Sequence, residues 1–378
     1  MSTISDVARK ACVSTTTVSR VLNNNPTVDP RLAAKVQKAI ELLNYSPSRV
    51  ARSLRTRRSN FWALIISDIR NPFFADIVKG VEDVAYSADY SLVLCNAEDD
   101  PVKWASYLDL ALAEHAVGVI VTPATCGADV STLLGRGVPV VAADRRLNNH
   151  DVDCVVMDNV RGAKQAVSHL IEGGYERIAC ITGSLETTTA TERFAGYRLA
   201  LAEAGVGLDD SLVRTGQFCR DGAHAAMRSL LSLSPRPDAV FVDNNIMTLE
   251  ALHAIAEAGL SIPDDIGIVG FDDMSWASLL RPPLTTVAQP SYDIGVETAR
   301  LLMSRIAGYS GVARTVTLLP SLVVRKSSTP KASGTQSADE QLGRAGARRP
   351  RSEVGHKGPR AFTSGESRLT SPRRKGSR

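Results

Sequence analysis

ISDVARKACVSTTTVSRVLN, from Ile4 to Asn23, holds two short helical patterns on either side of a tight turn. Ile4, Val7, Ala8 and Ala11 recur at the 3, 4 and 7 spacing of one buried helix face. Val13 supplies an apolar turn residue, and Ser14 is placed to cap a second helix by accepting from its first free amides. Val18, Val21 and Leu22 form the inward stripe of that helix, which leaves Thr15, Thr16, Thr17, Ser19 and Arg20 outside. Short hydroxyls at a helix start, Ser14 included, with an arginine one turn on, suit a recognition helix reaching base edges in the major groove. The same periodicity fits any packed pair of helices. Charge separates the two readings.

Residues 1–60 carry 11 Lys and Arg against 3 Asp and Glu, whereas residues 61–330 carry 21 against 33. Such asymmetry points to a polyanionic partner for the basic part alone. Val36, Ile40 and Leu43 mark one face of a third helix running roughly from Pro30 to Asn44. YSPSRVARSLRTRRS follows, Tyr45 to Ser59, in which Pro47 forbids continuation of the previous helix and Ser48 can cap a new turn. Five arginines make this segment too self-repelling and too short to persist free as a helix. It is expected to order against phosphate.

This opening is similar to the headpiece of the lactose-repressor/galactose-repressor (LacI/GalR) family of bacterial transcription regulators, whose usual pattern is close to TIxDVAxxAGVSxxTVSRVLN. Cys12 departs from it, standing where the family has a turn glycine, at a position expected to want a positive φ. The resemblance implies that Tyr45–Ser59 is a hinge helix that enters the minor groove beside its dimer mate. Ala51, Leu54 and Arg55 would then touch DNA, with Leu54 wedging between base pairs and kinking the duplex. Packing of Leu54 onto the core is the alternative.

From Phe61 to about Arg325 the pattern changes. Apolar runs at 62–67, 91–96, 117–122, 138–144, 177–183, 238–243 and 266–272 alternate with stretches of helical length. Runs without polar alternation, so spaced, imply strands buried on both faces in parallel sheets with crossover helices. Some 265 residues exceed one comfortable core, so two Rossmann-like lobes are expected. Polar residues follow the strands at Asp68, Asp144, Gly183, Asp243 and Asp272, where open α/β sheets bind ligands.

The family resemblance implies the same shape, a periplasmic-binding-protein-like core, and supplies candidate effector contacts. These are Phe73 and Phe74 in NPFF, Asp144 and Arg145 at a lobe-connecting strand end, and Thr189 and Arg193 around TERFAGYRLAL. Phe218, Asn244 in FVDNNIM, Asp272 in VGFDD and Gln289 in PPLTTVAQP complete the set, while Asn245 departs from the family's aspartate. Planar donors and acceptors suit paired hydroxyls, and the phenylalanines can stack on an apolar ring face. A sugar or sugar derivative is the favoured effector. A purine would also stack there, but Thr187 stands where the purine-binding relative has an additional arginine. Trp276 reads as a buried aromatic rather than a cleft residue.

No GxxxxGK[ST], GxSxG, HExxH or strand-following GxGxxG occurs, so neither an enzyme nor a cofactor or metal is expected. Six cysteines without a CxxC, and no leader or membrane run, fit reduced thiols in the cytoplasm and tell against a secreted sugar-binding protein. A sugar-binding module without gene control is the remaining alternative. Residues 331–378 carry 12 basic and 4 acidic residues among Ser, Gly, Arg and Pro, a composition that cannot bury enough to order itself. Lacking a leucine heptad, the chain is expected to be a homodimer on a pseudo-palindromic operator. The expected architecture is therefore α/β, with a helix-turn-helix headpiece (1–46), a hinge (47–59), a two-lobed core (60–328) and a disordered basic tail (329–378).

Overall fold

A computed structural model describes residues 2–22, 25–45 and 60–329. The hinge candidates Ala51, Leu54 and Arg55, and nearly all of the basic tail, lie outside the described residues.

The N-terminal part is three helices: α1 (Ile4–Ala11), α2 (Thr15–Leu22) and α3 (Pro30–Leu42). Thr3 and Asp6 cap α1 reciprocally, and Asp29 caps α3 with Pro30 in its first turn, so each start is set by local chemistry. Cys12 closes α1 in the left-handed region at φ 55, the positive angle expected where the family has glycine. Val7, Ala8, Ala11, Val18, Val36 and Ala39 make a small shared core. Helix α3 stops two residues before the expected Asn44, which itself turns left-handed at φ 45.

Two six-stranded sheets follow. The first lobe uses β1 (Phe61–Ile66), β2 (Ser91–Asn96), β3 (Gly118–Val121), β4 (Val140–Ala143), β5 (Asp153–Met157) and β11 (Thr315–Leu318), in the order β11-β5-β4-β3-β1-β2. The second uses β6 (Ile178–Thr182), β7 (Val213–Thr215), β8 (Ala239–Val242), β9 (Gly267–Phe271), β10 (Thr285–Ala288) and β12 (Ser321–Val323), in the matching order β12-β10-β9-β8-β6-β7. Every pairing is parallel except β10 with β12. The chain crosses between lobes after Met157, after Ala288 and after Leu318. The lobe connection therefore comes after β5, one strand later than the expectation at Asp144.

All seven apolar runs are strands, but β2 is not buried on both faces. It is a sheet edge, and Val93 and Leu94 stay partly exposed. Helices α4 (Pro72–Ser87) and α11 (Ser291–Ile306) cross on the first lobe at paired glycines. A Cβ on Gly80 would lie 2.2 Å from Tyr292 O, and one on Gly295 2.2 Å from Ile77 O. Trp276 packs, half-buried, on the second lobe's core, as expected of an aromatic outside the cleft.

Candidate functional site

Where the strands of both lobes end, their side chains converge on a cleft whose empty space, mouth included, is about 500 Å³. Phe73, Phe74, Asp144, Arg145, Thr189, Arg193, Phe218, Asn244, Asp272 and Gln289 all line it, so the structure brings the ten sequence candidates together. Ser67, Asp68, Asn71, Asp99 and Ile246 line it as well. Of these, Asp68 had the strand-end signal. Asn71 had a signal too, standing directly before Pro72 as the N-cap of α4.

Two carboxylates occupy equivalent places. Asp144 follows β4 and Asp272 follows β9, each the third strand of its sheet. Each donates its amide back to the neighbouring strand, Asp144 to Val155 O at 2.8 Å and Asp272 to Val287 O at 2.9 Å. Each has a left-handed backbone, φ 67 and φ 71, and Phe218 on the opposite wall has φ 53. Aspartate adopts such angles more readily than most residues, but a bulky phenylalanine rarely does, and strain of this kind persists where surroundings over-determine it, commonly at ligand sites. Phe218 also rests on Gly183, where a Cβ would lie 2.0 Å from the ring. Gly183 therefore shapes the wall from behind.

The guanidiniums are held differently. Arg193, on α8 (Thr188–Glu203), donates through Nε to Asn159 Oδ1 at 2.8 Å and through Nη1 to Asp243 O at 2.7 Å, and it lies 3.8 Å over the Phe271 ring. Arg145 donates through Nη1 to Ser67 Oγ, Pro123 O and Asp99, while its buried Nε has no hydrogen-bond partner. The buried Gln289 Oε1 likewise has none, though its Nε2 is held by Asp272. These buried polar atoms need partners, and hydroxyls of a ligand would supply them.

Burial pushes the Asp144 and Asp243 carboxyls up to about 6, against the pull of Arg145 and Arg193 on the former and of Arg193 on the latter. Asp243 does not line the cleft; its Oδ2 accepts from the Gly183 amide at 2.7 Å and so braces the wall. Thr187 is buried as the N-cap of α8, accepting from the Ala190 amide, and does not line the cleft either. Across the lobes, Asn245 Nδ2 donates to Asn71 Oδ1 at 2.8 Å, Cys126 N to Glu186 O at 3.1 Å, and Arg146 pairs with Glu192.

In the headpiece, Thr15, Thr16 and Arg20 are exposed on α2. Ser14 caps α2, its Oγ accepting from the Thr17 amide at 3.1 Å and lying 2.9 Å from Thr17 Oγ1. Thr17 and Ser19 are half-buried rather than fully outside, because the cap and the helix packing draw them in.

Residues 3–48 match the family described as bacterial regulatory proteins, lacI family, and residues 167–328 match the periplasmic binding protein-like domain. The ribose operon repressor of Escherichia coli (strain K12) is 37% identical over 329 residues, 86% of this chain and 100% of that protein. The HTH-type transcriptional repressor PurR of Photobacterium profundum is 36% identical over 329 residues, 86% of this chain and 98% of its own. Among solved structures, the Lac repressor dimer bound to operator and the anti-inducer ONPF has a TM-score of 0.79 at 27% identity, covering 87% of this chain and 99% of that one.

Proposed function

The chain belongs to the lacI family of bacterial regulatory proteins, and on that premise we propose how its own residues carry out repression. It is a DNA-binding transcriptional repressor whose operator affinity is set by a small molecule bound between the core lobes. Like the dimeric Lac repressor, it acts as a homodimer, which presents two headpieces to a two-fold operator. Among the described residues, no helix is long and apolar enough to cross a membrane.

The observation that carries the effector reading is the cleft lining itself. Four carboxylates (Asp68, Asp99, Asp144 and Asp272) face two guanidiniums and three amide side chains (Asn71, Asn244 and Gln289) beside three phenylalanine rings. That balance favours an uncharged polyol with an apolar ring face over an anion, so the effector is a sugar or sugar derivative. The likeness to PurR supports a purine as the second reading. Thr187 weighs against it, since its oxygen is committed to capping α8.

Effector works by changing how the lobes close. The Asn71–Asn245, Arg146–Glu192 and Cys126–Glu186 contacts form or break as the lobe angle changes, and the hinge segments move with them. Coupling of this kind is typically about 1–3 kcal/mol. Thr16 and Arg20 read bases from α2, and Leu54 wedges into the minor groove. Thr16→Ala is expected to flatten base preference by about 1–3 kcal/mol at one operator position, measured on a panel of altered operators. Equal weakening on every operator would remove Thr16 from the base-reading set.

A thermal-shift screen of sugars, phosphosugars and purines, repeated with operator binding, tests the whole reading. A true effector at 100 times its Kd adds about 2.7 kcal/mol of stability and moves operator affinity in the same titration. Stabilisation by a sugar without any change at the operator would leave a sugar-binding module. Chemical turnover of the bound ligand would make the chain an enzyme.

A further inference from the structure

The six histidines show no metal spacing along the chain, yet the fold brings two of them together away from the cleft. His224 lies on α9 (Arg220–Leu231), and His253 and Glu257 lie on α10 (Asn245–Glu257). His253 and Glu257 are four residues apart and therefore share one face of their helix. His224 Nε2 stands 2.9 Å from Glu257 Oε2, and His253 Nε2 stands 3.5 Å from Glu257 Oε1. The imidazole rings are 5.3 Å apart at their centroids, and one donor atom from each of the three residues lies within 4.8 Å of the others.

We propose that His224, His253 and Glu257 form a binding site for a divalent transition metal of the zinc class, clipping α9 to α10. Zinc bonds of about 2.0–2.2 Å in a tetrahedron put neighbouring ligand atoms roughly 3.3–3.5 Å apart. Each imidazole nitrogen already stands near that spacing from a Glu257 oxygen, His224 from Oε2 and His253 from Oε1. The three ligand atoms, within 4.8 Å of one another, need to close by roughly an ångström or a little more, and His253 is an exposed side chain able to rotate. Two nitrogen ligands and one carboxylate select zinc, nickel or copper over magnesium or calcium, which take oxygen donors. Glu250 lies 3.8 Å from His253 Nδ1 and serves as its outer orienting partner, the usual arrangement behind a metal-bound imidazole.

The position gives the clip a structural consequence. Phe218 stands just before α9, and Asn244 caps α10, so both clipped helices begin on the effector cleft. Metal bound there would hold the second lobe's cleft wall as one piece.

Full-length protein, first stripped with chelator, is titrated calorimetrically with zinc chloride. One equivalent per chain is expected to bind saturably. His224→Ala and His253→Ala are each expected to weaken binding by at least the roughly 10–100-fold seen for loss of outer-shell partners. Glu257→His is expected to tighten it, and zinc should raise the Tm of the parent but not of the doubly substituted His224→Ala/His253→Ala chain. Absence of saturable binding, or a double variant that binds as tightly as the parent, overturns the proposal. Operator binding by the same variants should match the parent, so either outcome leaves the repressor reading untouched.

Discussion

In the first lobe, Asp153 is fully buried at the start of β5 and accepts from both Arg305 and Arg314, which precede the incoming strand β11. In the second, Asp273 is about a quarter exposed and binds one arginine, Arg325, beside the incoming strand β12, with the Thr286 hydroxyl as its other partner. Burial raises the Asp153 carboxyl, but the hydrogen bonds from Arg305 and Arg314 outweigh it and hold the group at about 2. Both lobes thus use a carboxylate to fix the strand that completes the sheet. They differ in how deeply that carboxylate is committed. The lobe whose last strand returns only after five of the second lobe's six strands has the stronger anchor, which suggests that the cost of long-range closure sets the strength of the staple.

The largest expected effect tests this asymmetry. Asp153→Ala should destabilise the protein by about 3–5 kcal/mol, because it removes a fully buried carboxylate that two partly buried guanidiniums share. Asp273→Ala should cost less, about 1–3 kcal/mol, the range for losing a charge-assisted hydrogen bond at a partly wet site. Urea denaturation of both variants measures the difference. Equal losses would mean that burial of the carboxylate does not distinguish the lobes.

Next in size is the cleft. Arg193 is fixed by two hydrogen bonds and a ring, whereas the Nε of Arg145 makes no hydrogen bond and has only the Asp144 carboxylate, 3.5 Å away, as an ion-pair partner. Arg193→Ala should therefore abolish the effector response, weakening effector binding by more than about 2 kcal/mol, while operator affinity stays nearly intact. Asp272→Ala should behave alike. Operator titrations with and without effector read both quantities, and a normal response in the two variants would misplace the site.

The smallest expected effect is on pH dependence. Burial raises Asp144 and Asp243 to about 6, above the ordinary 3.8, so the folded chain binds their protons more tightly than the unfolded chain does. Their contribution to stability is fully present below about 3.8 and is lost as pH rises through about 6. Stability without effector should thus increase from pH 7.5 to pH 5.5, by on the order of 1 kcal/mol for each group. Asp153, held at about 2, is ionised throughout that window and contributes no slope. Asp144→Asn should reduce the gain, measured as the shift in urea midpoint between the two pH values. An unchanged gain would remove Asp144 as its source.

Much of the molecule is legible before folding. Apolar runs such as VGVIVT and RIACITG mark strands because only sheets use runs of buried residues so economically. Asp68, Asp144 and Asp272, each following such a run, mark the cleft because those strand ends point there, whereas Asp243 braces the wall through the Gly183 amide. What escapes is set by partners remote in sequence. β10 (TTVA), β11 (TVTL) and β12 (SLV) are short, and the threonine-rich pair carry little apolar signal; each becomes a strand by pairing with a prepared edge. The edge position of β2 escapes for the converse reason, since an apolar run does not tell whether a second layer covers it. Ser67 and Asp99 gain their meaning only from Arg145, 78 and 46 residues away. His224 and His253 are likewise separated by 29 positions and joined by helix packing alone.

The return of β11 to the first sheet also governs how the chain is made. On a ribosome, residues 61–157 emerge early and can build five strands, but the β5 edge stays unpaired until Thr315–Leu318 has been synthesised. An open parallel edge invites pairing with other chains. At about 5–20 residues per second, the roughly 160 residues still to come expose that edge for about ten to thirty seconds. A nascent chain stalled before residue 315 would carry a first lobe closed on one side only, and it is this intermediate, not the finished protein, that chaperones would have to guard.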